Sequence, residues 1–156
     1  MNLQLVCDVS GSMGEGGKIF AMRTAVMFVA RWVRFGYSRT EISLCGWSSG
    51  TRHFPDWSTT DEFPTDLLSC SGSSNERALI QWLRDKPEGK ILLLTDGIWP
   101  RNGAKVLKQW MESLPSDSVR VIKIGADANP QLKGPNVFAA EDLFAALDGW
   151  LERGVT

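Results

Sequence analysis

The stretch Leu3-Gln4-Leu5-Val6-Cys7-Asp8-Val9-Ser10-Gly11-Ser12 runs from an apolar strand straight into a polar loop, and its reading decides the fold. A strand over Leu3–Cys7 stops at Asp8, and Gly14-Glu15-Gly16-Gly17 supplies turn residues before the next element. From Ile19 the spacing becomes helical. Ile19, Met22, Val26, Val29, Ala30 and Val33 share one face, while Arg23, Arg31 and Arg34 lie away from it. Gly36 can end this helix.

Outward from this unit, strand and helix signals alternate. Glu41–Trp47 reads as a strand, and Thr51–Phe54 as a short antiparallel partner across Ser48-Ser49-Gly50, at a sheet edge. Pro55–Gly72 is rich in Ser, Thr, Asp and Pro, and a loop of that length is expected to be irregular and close to a site. Leu79, Ile80, Trp82 and Leu83 mark a second helix. Lys90–Thr95 is a nearly continuous apolar run, as in a central strand covered on both faces, and it breaks at Asp96-Gly97. Val106, Leu107, Trp110, Met111 and Leu114 mark a third helix. Val119–Ile124 and Asn136–Phe138 are further strands, before a closing helix with Leu143, Phe144, Leu147, Trp150 and Leu151. This order predicts a three-layer, doubly wound Rossmann-like α/β sheet, mostly parallel with one antiparallel edge strand and helices on both faces.

Composition bounds the rest. A chain of 156 residues with 43% hydrophobic and 22% charged content is expected to be a single globular domain over residues 1–156. Its net charge of −1, with no dense basic run, disfavours a nucleic-acid binder. One His argues against His-rich metal sites. Cys7, Cys45 and Cys70 are widely spaced and form no C-x-x-C pair, which fits reduced thiols. No apolar stretch reaches the ~20 residues of a membrane span, and no charged segment precedes Leu3, so a cytoplasmic protein is expected.

In doubly wound sheets, ligands bind beyond the carboxyl ends of the strands, where the chain order reverses. In the strand order 3-2-1-4-5-6, the first and fourth strands are neighbours there, so Asp8 and Asp96 should converge on one crevice. Ser10 and Ser12 alternate with Asp8, and a looping backbone can aim three oxygen side chains at one centre. Hard divalent cations want such a set: oxygen ligands, few carboxylates, retained waters. The competing interpretation is an Asx-type turn after a strand.

Asp8-Val9-Ser10-Gly11-Ser12 resembles the Asp-x-Ser-x-Ser motif of von Willebrand factor A domains, and Thr95-Asp96-Gly97 is similar to their Thr-Asp-Gly. The resemblance covers essentially the whole chain. It implies a metal-ion-dependent adhesion site in which the serines bind Mg²⁺ (Mn²⁺ or Ca²⁺ being alternatives) directly and the carboxylates bind directly or through water. It also implies a Thr from a third loop. Here that loop reads Ser71-Gly72-Ser73-Ser74, and Ser73 is the expected ligand, with Ser74 the alternative. Ser73 also begins Ser-x-x-Glu with Glu76, a capping box for the second helix. The expected metal set is thus Asp8, Ser10, Ser12, Ser73 and Asp96. An acidic side chain of a partner protein would fill the open coordination position. Stand-alone prokaryotic members of the family imply a MoxR-type AAA+ ATPase and a further effector protein as partners, in chaperone-like or defence systems.

Two tryptophans fall at strand ends on the same side, Trp47 and Trp99. Together with Arg101 they form an expected partner-binding rim, unless Trp99 folds back over the sheet. Trp32, Trp82, Trp110 and Trp150 lie on expected helices and read as packing residues. Other motifs fail on context. Gly46-Trp47-Ser48-Ser49-Gly50 matches a nucleophile elbow but leads into a strand, not a helix. Gly16-Gly17-Lys18 lacks the Ser or Thr that follows a P-loop lysine. The enzymatic alternative is a Mg²⁺-dependent phosphohydrolase of haloacid-dehalogenase type with Asp8 as nucleophile. Ser10, however, stands where the second Asp, the general acid, is required.

Overall fold

A computed structural model describes residues 2–36, 39–84 and 89–151. Its elements follow the expected alternation: β1 (Asn2–Asp8), α1 (Lys18–Gly36), β2 (Glu41–Trp47), β3 (Thr51–His53), α2 (Glu76–Arg84), β4 (Lys90–Thr95), α3 (Arg101–Ser113), β5 (Val119–Lys123), β6 (Val137–Ala139) and α4 (Leu143–Leu147). The six strands form one sheet in the order β3-β2-β1-β4-β5-β6. All neighbours are parallel except β2 and β3, whose register pairs Gly46 with Arg52. β1 is paired on both sides, with β2 and β4, so the chain order reverses at its carboxyl end.

Strand alternation divides the core between the two faces of the sheet. Leu3, Leu5 and Cys7 of β1, with Leu92 and Leu94 of β4, pack under α1 and α4. Val6 and Leu93 point the opposite way, under Leu79, Ile80 and Leu83 of α2 and Leu107 of α3. Met22, Val26 and Val29 of α1 are completely buried, each worth about 1.5–3 kcal/mol of burial. Segment 55–72 contains a single 3-10 turn, Thr65–Leu68. It lies on the α1 side, with Phe63 and Leu67 in the core.

Two sequence expectations shift at the helices. Val106 is exposed on α3, because Gly103 and Leu107 carry that helix's buried face. α4 is one short turn, so Phe144 faces outward, while Trp150 and Leu151 are buried beyond the end of the helix. Trp150 is fixed there by its indole N–H, which donates to the Asp117 carbonyl at 2.8 Å.

Candidate metal centre

Asp8 is the last residue of β1 and is fully buried. Its Oδ1 accepts hydrogen bonds from the Ser10 N–H at 2.9 Å and the Ser10 Oγ at 2.6 Å. Its Oδ2 accepts from Thr95 Oγ1 at 2.6 Å and from Trp99 Nε1 at 3.3 Å. Burial pushes the Asp8 carboxyl above the usual carboxylate range. The hydrogen bonds from Ser10 and Thr95 oppose that rise, and the Asp96 charge adds to it.

Asp96 follows β4 and is likewise fully buried. It accepts from the Ile98 N–H at 3.0 Å and from Lys18 Nζ at 3.0 Å. Lys18 opens α1 and is only 3% exposed, a position reserved for paired ammonium groups. It also donates to the Ser12 carbonyl at 3.2 Å and pairs with Asp127 at 2.9 Å. Burial alone would lower its pKa; the bonds to Asp127 and Asp96 outweigh that and hold the ammonium above its ordinary value.

The third loop is tied to the first by backbone hydrogen bonds. Ser71 N–H donates to the Val9 carbonyl at 2.9 Å, and Gly11 N–H to the Gly72 carbonyl at 2.9 Å. Gly72 has φ +79°, and a Cβ there would lie 2.6 Å from Ser49 Oγ, so only glycine brings these loops together. In this loop Ser73 is exposed and Ser74 is buried. The Ser74 Oγ and the Ser12 Oγ are both buried without a hydrogen-bond partner.

Ser74, the alternative to Ser73, is thus the buried member of the pair, while Ser73 itself is exposed. The capping box is corrected. Asn75 Oδ1 accepts from the N–H groups of Arg77 (3.1 Å) and Ala78 (3.3 Å), so Asn75 caps α2. Its backbone and side-chain N–H groups also reach the Ser48 and Ser49 carbonyls. The helix start is thereby laced to the turn between β2 and β3.

Of the expected rim, Trp47 is corrected to a core residue. It has no exposed surface, its indole N–H donates to the Asn75 carbonyl at 2.7 Å, and its ring meets that of Trp99 edge-on at 5.9 Å. Trp99 does fold back: it is half-buried, with its N–H on Asp8. Arg101 is exposed at the start of α3. Lys18 and Thr95 stand outside the site residues expected from the sequence. Lys18 lies four residues before Met22 on the same helical face, which is the signal that it is buried. The half-buried Cys70 belongs to the same neighbourhood: burial, then the charges of Asp8 and Asp96, raise its thiol pKa.

The cluster offers hydroxyls and two carboxylates at the carboxyl ends of β1 and β4. Among the described residues, no group of three or more His, Cys, Asp or Glu is placed to hold a metal. An ion here would therefore depend on serine hydroxyls. A buried hydroxyl without a partner costs about 1–3 kcal/mol, and two of them on loops beside two buried carboxylates suit a hard, oxygen-seeking cation.

The fold and this oxygen-rich switch point define a Rossmann-like α/β domain with a candidate cation cradle. Comparison with solved structures specifies the class further: the chain has the von Willebrand factor A fold. Manganese-loaded TRAP protein from Plasmodium vivax matches with a TM-score of 0.61 at 16% identity, over 100% of this chain and 75% of that one. Proximal thread matrix protein 1 from the mussel byssus, with a zinc-occupied MIDAS motif, matches with a TM-score of 0.55 at 15% identity, over 93% of this chain and 44% of that one. A von Willebrand factor type A protein from Catenulispora acidiphila matches with a TM-score of 0.53 at 16% identity, over 78% of this chain and 32% of that one. This chain thus spans less than half of the mussel protein's length. No protein-family model and no curated protein sequence matches it. Among the described residues, no helix is long and apolar enough to cross a membrane.

Proposed function

We propose that this chain is a divalent-cation-dependent protein-interaction module. Ser10, Ser12 and Ser74 would hold the ion through their hydroxyls, and Asp8 and Asp96 through their carboxylates, directly or through water. When bound, the ion supplies positive charge and an open coordination position for an Asp or Glu of a partner protein. The observation that carries this reading is the pair of buried, unpartnered hydroxyls, Ser12 Oγ and Ser74 Oγ. Metal-loaded structures of the same fold support it. Mg²⁺ is the ion we assign, with Mn²⁺ as its convenient probe.

The residues themselves favour binding over catalysis. Ser10, hydrogen-bonded to Asp8, cannot replace the missing general acid, which typically contributes about 10²–10⁴-fold to rate. A MoxR-type AAA+ ATPase acting with a further effector protein is the partner class that the family resemblance supports. Pull-downs with wild type and Asp8→Ala, each in Mg²⁺ and in EDTA, test the reading. Recovery of a partner by wild type in Mg²⁺ alone is expected; equal recovery in all four arms would overturn it.

A further inference from the structure

The face of the sheet under α2 and α3 is not evenly covered. Val119 and Val121 of β5 are buried with Leu107 of α3, whereas Leu132 and Val137 beside them are only partly buried. A groove of about 540 Å³ remains there, between α3 and residues 129–137. Its apolar lining includes Trp99, Met111, Val121, Leu132 and Val137. Lys105, Lys108 and Lys133 stand along it, all exposed. Among the described residues, no carboxylate forms an ion pair with these lysines. The groove's own acids are Glu112 and Asp117, and Asp117 is already held by two 3.0 Å bonds from Arg120.

The groove is joined to the candidate metal centre. Gly97 and Trp99 line its upper end. Trp99 reaches from there to Asp8 through its indole N–H. Asn129 N–H donates to the Asp96 carbonyl at 2.8 Å, and Asn129 Nδ2 to the Gly97 carbonyl at 3.1 Å. A partner chain leaving the metal centre thus has a path along α3 into the groove. The 13 residues of α3 span about 20 Å, the length of roughly six extended residues.

We infer that this groove docks an acidic, apolar-anchored segment of the partner protein, continuous with the residue whose carboxylate meets the ion. The inference deepens the metal-dependent reading and rests on it for where the segment begins. Apolar side chains of the segment fill the lining between Met111 and Leu132, and its acids face the three lysines. Burial of apolar anchors supplies affinity, and the lysine rim supplies selectivity against basic segments.

The test is calorimetric titration in EDTA, so that groove binding is measured apart from the ion. The probes are three ten-residue peptides: Glu alternating with Leu, Lys alternating with Leu, and Glu alternating with Ser. Only the Glu–Leu peptide is expected to bind. Lys105→Glu combined with Lys108→Glu should weaken it by about 2–30-fold, as for two surface ion pairs, with an unchanged melting temperature. Arg31→Glu with Arg34→Glu, on α1 at the opposite face, should leave binding intact. Binding of the Lys–Leu or Glu–Ser peptide with equal affinity, no binding of the Glu–Leu peptide, or transfer of the loss to the α1 variant would overturn the groove. Repeating the titration in Mn²⁺ separates the two readings. Groove binding that Mn²⁺ leaves unchanged would count against the metal centre and not against the groove.

Discussion

Ser74→Ala and Ser12→Ala are expected to change the protein's stability in opposite directions depending on whether a divalent ion is present. Each hydroxyl is buried without a partner in the metal-free fold, where such a group costs about 1–3 kcal/mol. Removing it should leave the metal-free protein unchanged or up to about 1–3 kcal/mol more stable. In a chain of 156 residues that is a rise of up to about 2–12 °C in melting temperature. Wild type should gain from the ion instead. At 100 times the dissociation constant, one bound ion stabilises by about 2.7 kcal/mol, or about 5–11 °C. Either variant loses most of that gain, so the ranking of wild type and variant reverses between EDTA and excess Mn²⁺. Melting curves followed by circular dichroism in the two buffers read this out directly. A variant that is destabilised in EDTA would show that the hydroxyl has a structural partner. One that keeps the full Mn²⁺ shift would show that it is no ligand; either result refutes the reasoning.

Other perturbations probe the supports of the centre. Asp8 has a carboxyl raised by burial, so between its unfolded and folded pKa values the native state holds the extra proton. Metal-free stability should therefore rise as pH falls through that window, which begins at the ordinary carboxylate range and extends upward from it. The Mn²⁺-induced shift should shrink over the same interval, and a shift independent of pH from neutrality to the acid limit would contradict this. Trp47→Ala removes a fully buried indole and its bond to Asn75, and should cost about 3–5 kcal/mol in chemical denaturation; a cost under about 1 kcal/mol would return Trp47 to the surface. Gly97 has φ +70°, and a Cβ there would lie 2.7 Å from Leu132 Cδ2. Gly97→Ala should therefore lose about 1–2 kcal/mol from the backbone conformation alone, and more from the clash; wild-type stability would show that this turn is not under constraint.

The sheet was legible because its parallel strands are buried on both faces and read as apolar runs ending in polar residues, Cys7-Asp8 and Thr95-Asp96 above all. The two carboxylates could be brought together on the strength of strand order alone. The third loop could not be read as securely. Ser73 and Ser74 are adjacent residues of the same type, and sidedness depends on Gly72 adopting a left-handed conformation that reverses the loop. The capping box misled for a related reason: Asn75 stands next to the helix and competes successfully for its free N–H groups. Trp47 was misplaced because its position at a strand end outweighed a plainer signal. Successive strand residues point to opposite faces, so Trp47 follows Cys45 into buried surroundings. Lys18 stands outside the expected site because a lysine beside a glycine turn is usually solvated. Its partners, Asp96 and Asp127, lie far along the chain and meet it only once β4 is paired with β1 and β5 with β4.

The most direct test of the central claim is isothermal titration of the metal-free protein with Mn²⁺, wild type beside Asp8→Ala. One ion bound per wild-type chain and none by the variant is the predicted result. Failure of wild type to bind Mn²⁺, or equal binding by Asp8→Ala, would contradict it.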